Sequence, residues 1–471
     1  MEENRRRRNH PNVVFLLADQ WRGSATGFAG DPNVRTPNLD RLARRSVEFR
    51  NAVSVCPVCT PYRAALMTGR CPTSTGMFLN DLYLPASERC MAEMFRAGGY
   101  DTAYIGKWHL DGHGRESWIP PERRQGWDFW RGAECDHNYL HSHYYADDSP
   151  EKRFWPGYDA FAQTDEALKY LREPVRRDRP FLLMVAYGPP HFPHTELPDS
   201  ARNLYEPASI QLPPSVPPEL RPRSRQEAAG YYAHCELLDR CVGRIVDALD
   251  AGGMAEDTIL IFTSDHGEMM GSHGCAPFTK QVPWSEASVV PLLIRWPRMH
   301  GDAGRAVRTP LNTADLLPTL MGMAGLRVPG SVEGEDLSRL IRGAPDEDRA
   351  ALYMLVSPFH GQKAGNGEYR AVRTQTHTYV RCITGPWLLY DDAADPFQLR
   401  TPLRIRPTTA CGPNWMRGFR RSCARSATTS IRASTTSDAS ATRLRPTAQS
   451  PTRPARRPSR PVRPDYSDRP P

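Results

Sequence analysis

Lysine is almost missing. Lys107, Lys152, Lys169, Lys280 and Lys363 are the only five in 471 residues, and arginine carries nearly all the positive charge. A lysine-rich polybasic surface is therefore excluded, and each lysine that follows an apolar run becomes informative. Long apolar runs are missing too. Val13 to Ala18, behind the charged stretch Arg5 to Arg8, is too short for a membrane span or for the core of a secretory signal. The expected location is the cytoplasm. The 11 cysteines are odd in number and irregular in spacing, which does not form a disulfide framework. Cys56 and Cys59 make one C-x-x-C pair, open to redox or zinc chemistry, but no second such pair accompanies it.

The net charge of +8 and a pI near 8.9 would point to nucleic acid or an anionic membrane. That charge is local. Residues 397–471 hold 16 arginines and three aspartates, with no lysine or glutamate, so the rest of the chain is net acidic. Nucleic acid is therefore not an expected partner of the folded part. From about Thr401 the chain is rich in Arg, Pro, Ser, Thr and Ala and lacks the apolar content to fold alone. It reads as a disordered basic tail, a tether, or the product of a frameshift in GC-rich DNA.

Before that point, short continuous apolar runs alternate with helical patterns: Val13–Ala18, Thr102–Ile105, Phe181–Ala186, Thr258–Phe262 and Val289–Ile294. Runs of this kind suit strands buried on both faces, so the expected fold is α/β with a large, mostly parallel sheet flanked by helices. Gln226 to Asp250 has helical spacing and stops at Gly252-Gly253, and residues 313–324 give a second helix interrupted by Pro318. Tyr369–Thr374, Thr378–Arg381 and Trp387–Tyr390 read as small antiparallel strands. The expected organisation is a basic extension (1–10), a catalytic domain (11–349), a small C-terminal antiparallel-sheet subdomain (350–400) and the tail (401–471).

Ligands of open α/β sheets bind beyond the carboxyl ends of the strands. Asp19-Gln20 follows the first run and Gly106-Lys107-Trp108-His109 the second. Tyr187-Gly188-Pro189-Pro190-His191 follows the third, and Thr263-Ser264-Asp265-His266-Gly267 the fourth. Asp19, Gln20, Asp265 and His266 could share a metal, with oxygen donors favouring Ca2+ and the imidazole also allowing Mg2+ or Mn2+. Either aspartate could equally cap the turn after its strand. Lys107 suits an oxyanion, or else lies along the surface. In Cys59-Thr60-Pro61-Tyr62-Arg63, Pro61 fits a helix's first turn. Cys59 then sits at a helix N-terminus beside Arg63, where a thiol is acidic and reactive. The loop carrying His137, His141 and His143 either lines the pocket or is solvated, and His273 has no assigned role.

Cys59-x-Pro61-x-Arg63 followed by Thr68-Gly69-Arg70 resembles the signature of the type I, formylglycine-dependent sulfatases of the alkaline phosphatase superfamily. Thr36-Pro37-Asn38-Leu39-Asp40, Gly106-Lys107-Trp108-His109, Ser264-Asp265-His266-Gly267-Glu268 and Leu389-Tyr390-Asp391 extend the resemblance over residues 11 to about 400. It implies an alkaline-phosphatase-like fold and hydrolysis of a sulfate ester on a small molecule or carbohydrate. It implies oxidation of Cys59 to formylglycine by a formylglycine-generating or radical sulfatase-maturating enzyme, as partner. By resemblance, Cys59 is the nucleophile and Arg63 steadies its hydrate. Asp19, Gln20, Cys59, Asp265 and His266 hold one divalent cation. Lys107 and Lys280 bind sulfate, His109 assists the hydrate, and His191 stands near the leaving oxygen as general acid. Gln20 departs from the aspartate of many sulfatases toward phosphonate monoester hydrolases and choline-sulfatase-like enzymes. Phosphonate monoester or phosphodiester hydrolysis is thus the alternative activity. An inactive, sulfated-ligand-binding relative is the third reading.

Overall fold

Among the described residues ten strands form one sheet, and its central strands are the apolar runs covered on both sides. In chain order the strands are β1 Asn12–Asp19, β2 Val47–Phe49, β3 Ala52–Val53, β4 Asp101–Lys107, β5 Phe129–Ala133, β6 His143–Ala146, β7 Arg153–Phe154, β8 Phe181–Pro190, β9 Thr258–Ser264, β10 Leu292–Arg295, β11 Arg305–Val307, β12 Leu311–Asn312, β13 Ala351–Leu355, β14 Tyr369–Arg373, β15 His377–Cys382 and β16 Gly385–Asp391. The structure, a computed structural model, describes residues 10–173, 179–359 and 367–401. The basic extension, apart from residue 10, and the tail beyond Thr401 lie outside the described residues.

The main sheet runs β11-β2-β10-β9-β1-β8-β4-β5-β6-β7. Its centre, β9 through β5, is parallel. Strand β1 shows why the sheet is enclosed. Val13, Phe15 and Leu17 enter one apolar cluster, shared with Tyr62, Leu66, Leu317 and Leu320. Val14, Leu16 and Ala18 enter the opposite cluster, shared with Leu168, Leu238, Val242 and Ile245. Alternate side chains thus bury against helices on both faces, which is why the run is continuously apolar.

The run Val289–Ile294 behaves differently from the others. Only Leu292–Arg295 forms a strand, and it pairs antiparallel with β9. The long helix begins at Arg221, five residues before the apolar spacing starts, with Pro in its first turn. The second helix, Thr313–Met323, keeps Pro318 inside it. Asn312 and Asp315 close a reciprocal N-terminal cap there, with Asn312 Oδ1 accepting from Ala314 N at 2.9 Å and Asp315 Oδ2 from Asn312 N at 2.9 Å. The C-terminal region is a four-stranded antiparallel sheet, β13-β14-β15-β16, in which the three strands read from sequence gain Ala351–Leu355. Ala351, Tyr353, Tyr369 and Val380 pack in one cluster with Val55, Val58 and Ala65, beside the nucleophile segment.

Candidate active site

The parallel strands end in register. Ala18 stands opposite Ser264, Asp19 opposite Pro190, and Gly106 opposite Ala186. Asp19, Gln20, Lys107, His191, Asp265 and His266 therefore reach one short stretch of the sheet's carboxyl edge. Gly106 is required at this point. Its φ is +102°, and a Cβ would lie 2.1 Å from the Ala186 carbonyl oxygen, so no other residue could turn the strand to deliver Lys107.

Cys59 opens the helix Cys59–Thr68, which ends at Gly69 in the left-handed conformation. Its Sγ lies 3.3 Å from His266 Nε2, 3.5 Å from Lys280 Nζ, 3.7 Å from Asp19 Oδ1 and 3.9 Å from Lys107 Nζ. Burial pushes the thiol up, but the two ammonium groups, His266 and His109 outweigh it and hold it well below the ordinary range. At Cys56 burial prevails over Arg370 and pushes the thiol up to about 12. The C-x-x-C pair is thus one activated thiol and one inert core thiol.

Arg63 interacts electrostatically with the thiol, and its direct contacts are with carboxylates and backbone. Its Nη2 lies 3.2 Å from Asp19 Oδ2 and 3.3 Å from Asp265 Oδ2, and Nη1 donates to the Lys107 carbonyl at 2.7 Å. It is fully buried and fixes both carboxylates and the lysine-bearing backbone. Lys107 Nζ donates to Asp19 Oδ2 at 2.6 Å.

Asp19, Cys59, Asp265 and His266 present ligand atoms within 4.8 Å of one another. His266 Nδ1 lies 3.0 Å from the Gly267 carbonyl, which assigns a proton to Nδ1 and turns Nε2 toward the group, 3.3 Å from Cys59 Sγ. Burial and then the Asp19 carboxylate hold Asp265 up. Two enclosed carboxylates and an imidazole Nε2 turned toward them fit a divalent cation, which would displace any proton there, and the oxygen-rich set suits a hard one. The Cys59 sulfur stands where the oxygens of a formylglycine hydrate would be. Gln20 is placed beside them: Oε1 accepts from Lys280 Nζ at 3.2 Å, and Nε2 donates to Glu268.

The two remaining histidines differ in state. His191 Nδ1 lies 2.7 Å from the Phe192 carbonyl and Nε2 lies 2.8 Å from Lys280 Nζ, so the ring is neutral and accepts from the lysine. Burial, then Lys280, pushes its pKa well down. His109 Nε2 lies 2.8 Å from Asp81 Oδ1. Burial works against its charge, but Cys135, Asp81 and Cys59 prevail and raise it to about 9.

Several site residues gave no signal in the sequence. Asp81 holds His109 and also receives Arg115 at 2.9 Å. Asn80 Oδ1 accepts from Thr60 N at 2.9 Å in the first turn of the Cys59 helix. Glu134 collects the backbone N–H groups of Leu110, Asp111 and Gly112 and so shapes the loop after His109. These contacts join distant segments without a motif. Positive φ could not be read either. Gln20 (65°), Asp81 (62°) and His109 (58°) all adopt it at the site, at a cost of about 1–3 kcal/mol each that their surroundings must offset. The histidine loop divides. His137 stacks on His191 with ring centroids 4.3 Å apart. His143 is buried on Asp136 at 2.6 Å, and His141 is exposed. His273 stacks on Trp284, 4.7 Å between centroids.

Comparison with known proteins agrees with this geometry. The sulfatase family model matches residues 11–326, and the model of the N-sulphoglucosamine sulphohydrolase C-terminal region matches residues 271–405. An ulvan-active sulfatase of Formosa agariphila is 51% identical over 389 residues, covering 82% of this chain and 76% of its own. An endo-4-O-sulfatase of Bacteroides thetaiotaomicron is 30% identical over 454 residues, covering 83% and 87%. A solved 4S-sulf structure from the glycosaminoglycan metabolism of Bacteroides thetaiotaomicron superposes with a TM-score of 0.74 at 27% identity, covering 83% and 92%. A phosphonate monoester hydrolase of Agrobacterium radiobacter reaches a TM-score of 0.69 at 23% identity, a likeness of fold alone. An alkaline-phosphatase-like α/β hydrolase with a buried, activated cysteine is thus the class that fold and site define. The chain belongs to the sulfatase family, and the protein is a sulfuric ester hydrolase.

Proposed function

We propose that this sulfatase releases sulfate from a sulfated carbohydrate, using residue 59 in its formylglycine form and one divalent cation, Ca2+ before Mn2+ or Mg2+. The observation that carries the reading is the Cys59 side chain, 1% exposed, at the meeting point of Lys107, Lys280, His266 and Asp19. The 51% identity to an ulvan-active sulfatase supports a carbohydrate.

Asp19, Asp265 and His266, with Gln20 and residue 59, would hold the cation. When bound, it would polarise the sulfate and offset its charge. The chain's own groups do the rest. Lys107 and Lys280 supply two ammonium groups for the non-bridging oxygens, which gain charge as the ester bond breaks. Arg63 aims Asp19 and Asp265 through its Nη2 and favours their ionised forms. His109, held by Asp81, stands at residue 59 to move its proton. His191 stands at the leaving oxygen and, with Lys280 against Nε2, forms a path for the proton that the departing alcohol needs.

The mass of the residue-59 peptide from protein made in its native host tests this reading. A formylglycine mass together with turnover of an aryl sulfate over an aryl phosphonate is expected. An unmodified thiol in folded, active protein would exclude the formylglycine route. Preference for the phosphonate would move the activity to the phosphorus ester that Gln20 suggests. Production with and without each class of maturating enzyme identifies the partner, since a cysteine at this position admits both.

A further inference from the structure

Beyond His191 an aromatic surface leads outward. The Phe192 ring lies 4.3 Å from that of His191, and Phe278 lies 4.7 Å from Phe192, centroid to centroid. Both phenylalanines are half-buried. Phe278 has φ 77°, rare for a bulky side chain, and its N–H donates to Glu268 Oε1 at 2.8 Å. Glu268 also receives Gln20, so the aromatic surface is braced from the same carboxylate as the active site. Each end of this surface carries a cation. Lys280 Nζ is 5.9 Å from the Phe192 centroid on the catalytic side, and the Arg223 guanidinium is 5.8 Å from the Phe278 centroid on the outer side.

Arg223 is exposed and is left without a carboxylate. Glu227, one helical turn along, is the natural partner, but it is engaged by His194 Nδ1 at 3.2 Å. No ion pair joins Arg223 to any described residue. Its neighbours Arg221 and Arg225 are tied to backbone carbonyls, those of Val216 at 3.2 Å and Ile210 at 3.1 Å. The first turn of the helix that carries all three holds no acid, and no side chain caps it. Like charges at the positive end of a helix repel, and among the described residues none of the three arginines is held in an ion pair.

We propose that Phe192, Phe278 and Arg223 form a second subsite, which takes an anionic group on the saccharide unit next to the one that carries the scissile sulfate. The proposal rests on the sulfated-carbohydrate reading and adds its charge pattern. One anion, the scissile sulfate, lies at Lys107 and Lys280. The apolar face of a sugar ring lies on the two phenylalanines. A second anion, a carboxylate or another sulfate, meets the planar guanidinium, which pairs with either in two-pronged fashion.

Binding to the full chain carrying Cys59→Ser tests this without turnover. Three probes are titrated calorimetrically: a sulfated disaccharide with a carboxylate on the neighbouring unit, the same compound with that carboxyl reduced to an alcohol, and one with a second sulfate there. The expected result is about tenfold tighter binding of an anionic probe than of the reduced one, the size of a partly exposed charge-assisted contact. The carboxylate and disulfate arms show which anion is preferred. In Cys59→Ser/Arg223→Ala the ratio should fall to about one, and Arg223→Lys should retain part of it. A merely structural role for Arg223 would weaken all three probes alike. Equal binding of charged and reduced probes, or a preference that survives Arg223→Ala, would overturn the subsite. Failure of unaltered, modified enzyme to release sulfate from the sulfated disaccharides, with turnover of an aryl sulfate retained, would overturn the sulfated-carbohydrate reading instead.

Discussion

Lys280 Nζ and His191 Nε2 stand 2.8 Å apart, and the ring's one N–H, at Nδ1, donates to the Phe192 carbonyl, so the lysine donates to a neutral histidine. His191 can pass a proton outward only as it receives one from Lys280. His191→Ala should lower kcat by about 10²–10⁴-fold for esters of poor leaving groups. The loss should shrink for activated aryl sulfates, whose phenolate departs unprotonated. A leaving-group series measured on both proteins checks this, and an equal loss across the series would remove His191 from the role of acid.

Asp81 lies outside every recognised motif, yet it is the carboxylate on His109. Asp81 helps to raise His109 to about 9, against burial. In Asp81→Asn that contribution is lost, and the His109 ionisation should move to lower pH. kcat should fall by about ten- to a hundredfold as the ring loses its orientation. The pH dependence of kcat, compared between the two proteins, reads both effects.

The cation site predicts a stability change separable from catalysis. Adding Ca2+ to chelator-treated protein should raise Tm, because a ligand of the folded state alone stabilises by about 2.7 kcal/mol at a hundred times its Kd. Asp265→Asn removes one of the two enclosed carboxylates, and most of that rise should vanish. Thermal unfolding with Ca2+, Mn2+ and Mg2+ in turn ranks the metals. An equal rise in Asp265→Asn would place the cation elsewhere.

Asp159 is buried, with Ser142 donating to Oδ2 at 2.9 Å and Oδ1 left without a partner. Burial raises its carboxyl from the ordinary 3.8 to about 7. Between those values the folded chain keeps a proton that the unfolded chain has lost. This group therefore makes stability fall as pH rises from about 4 to about 7, after which its effect is constant. Asp159→Asn removes that slope, so its Tm relative to the parent should climb across the same range, by about 1 °C per kcal/mol recovered in a fold of this size. Unfolding curves at pH 5 and pH 8 decide it.

Much of the fold was legible because burial on both faces leaves a one-dimensional trace. The apolar runs at Val13, Thr102, Phe181 and Thr258 became the four adjacent central strands β1, β4, β8 and β9. Where burial leaves no such trace, the sequence misleads or is silent. The Arg221–Ala251 helix starts in an arginine-rich turn with no apolar face to mark it. Strand β10 runs antiparallel to β9, a choice made by the path of the chain rather than by any residue within the strand. Ala351–Leu355 became legible only as the edge partner of Tyr369–Arg373.

The sequence by itself determined which residues reach the sheet's carboxyl edge. A cysteine at a helix start, two scarce lysines, and Asp19 and the Asp265-His266 pair after buried strands are local patterns, and strand ends converge in an α/β sheet whatever their loops do. Only the tertiary structure decided how those residues are paired. It turned Arg63 onto Asp19 and Asp265, gave His191 to Lys280, and brought Asp81 to His109 and Phe278 to Phe192. Each pairing joins segments far apart in the chain. It is set by packing and by the need of every buried charge for a partner, which no spacing along the sequence encodes.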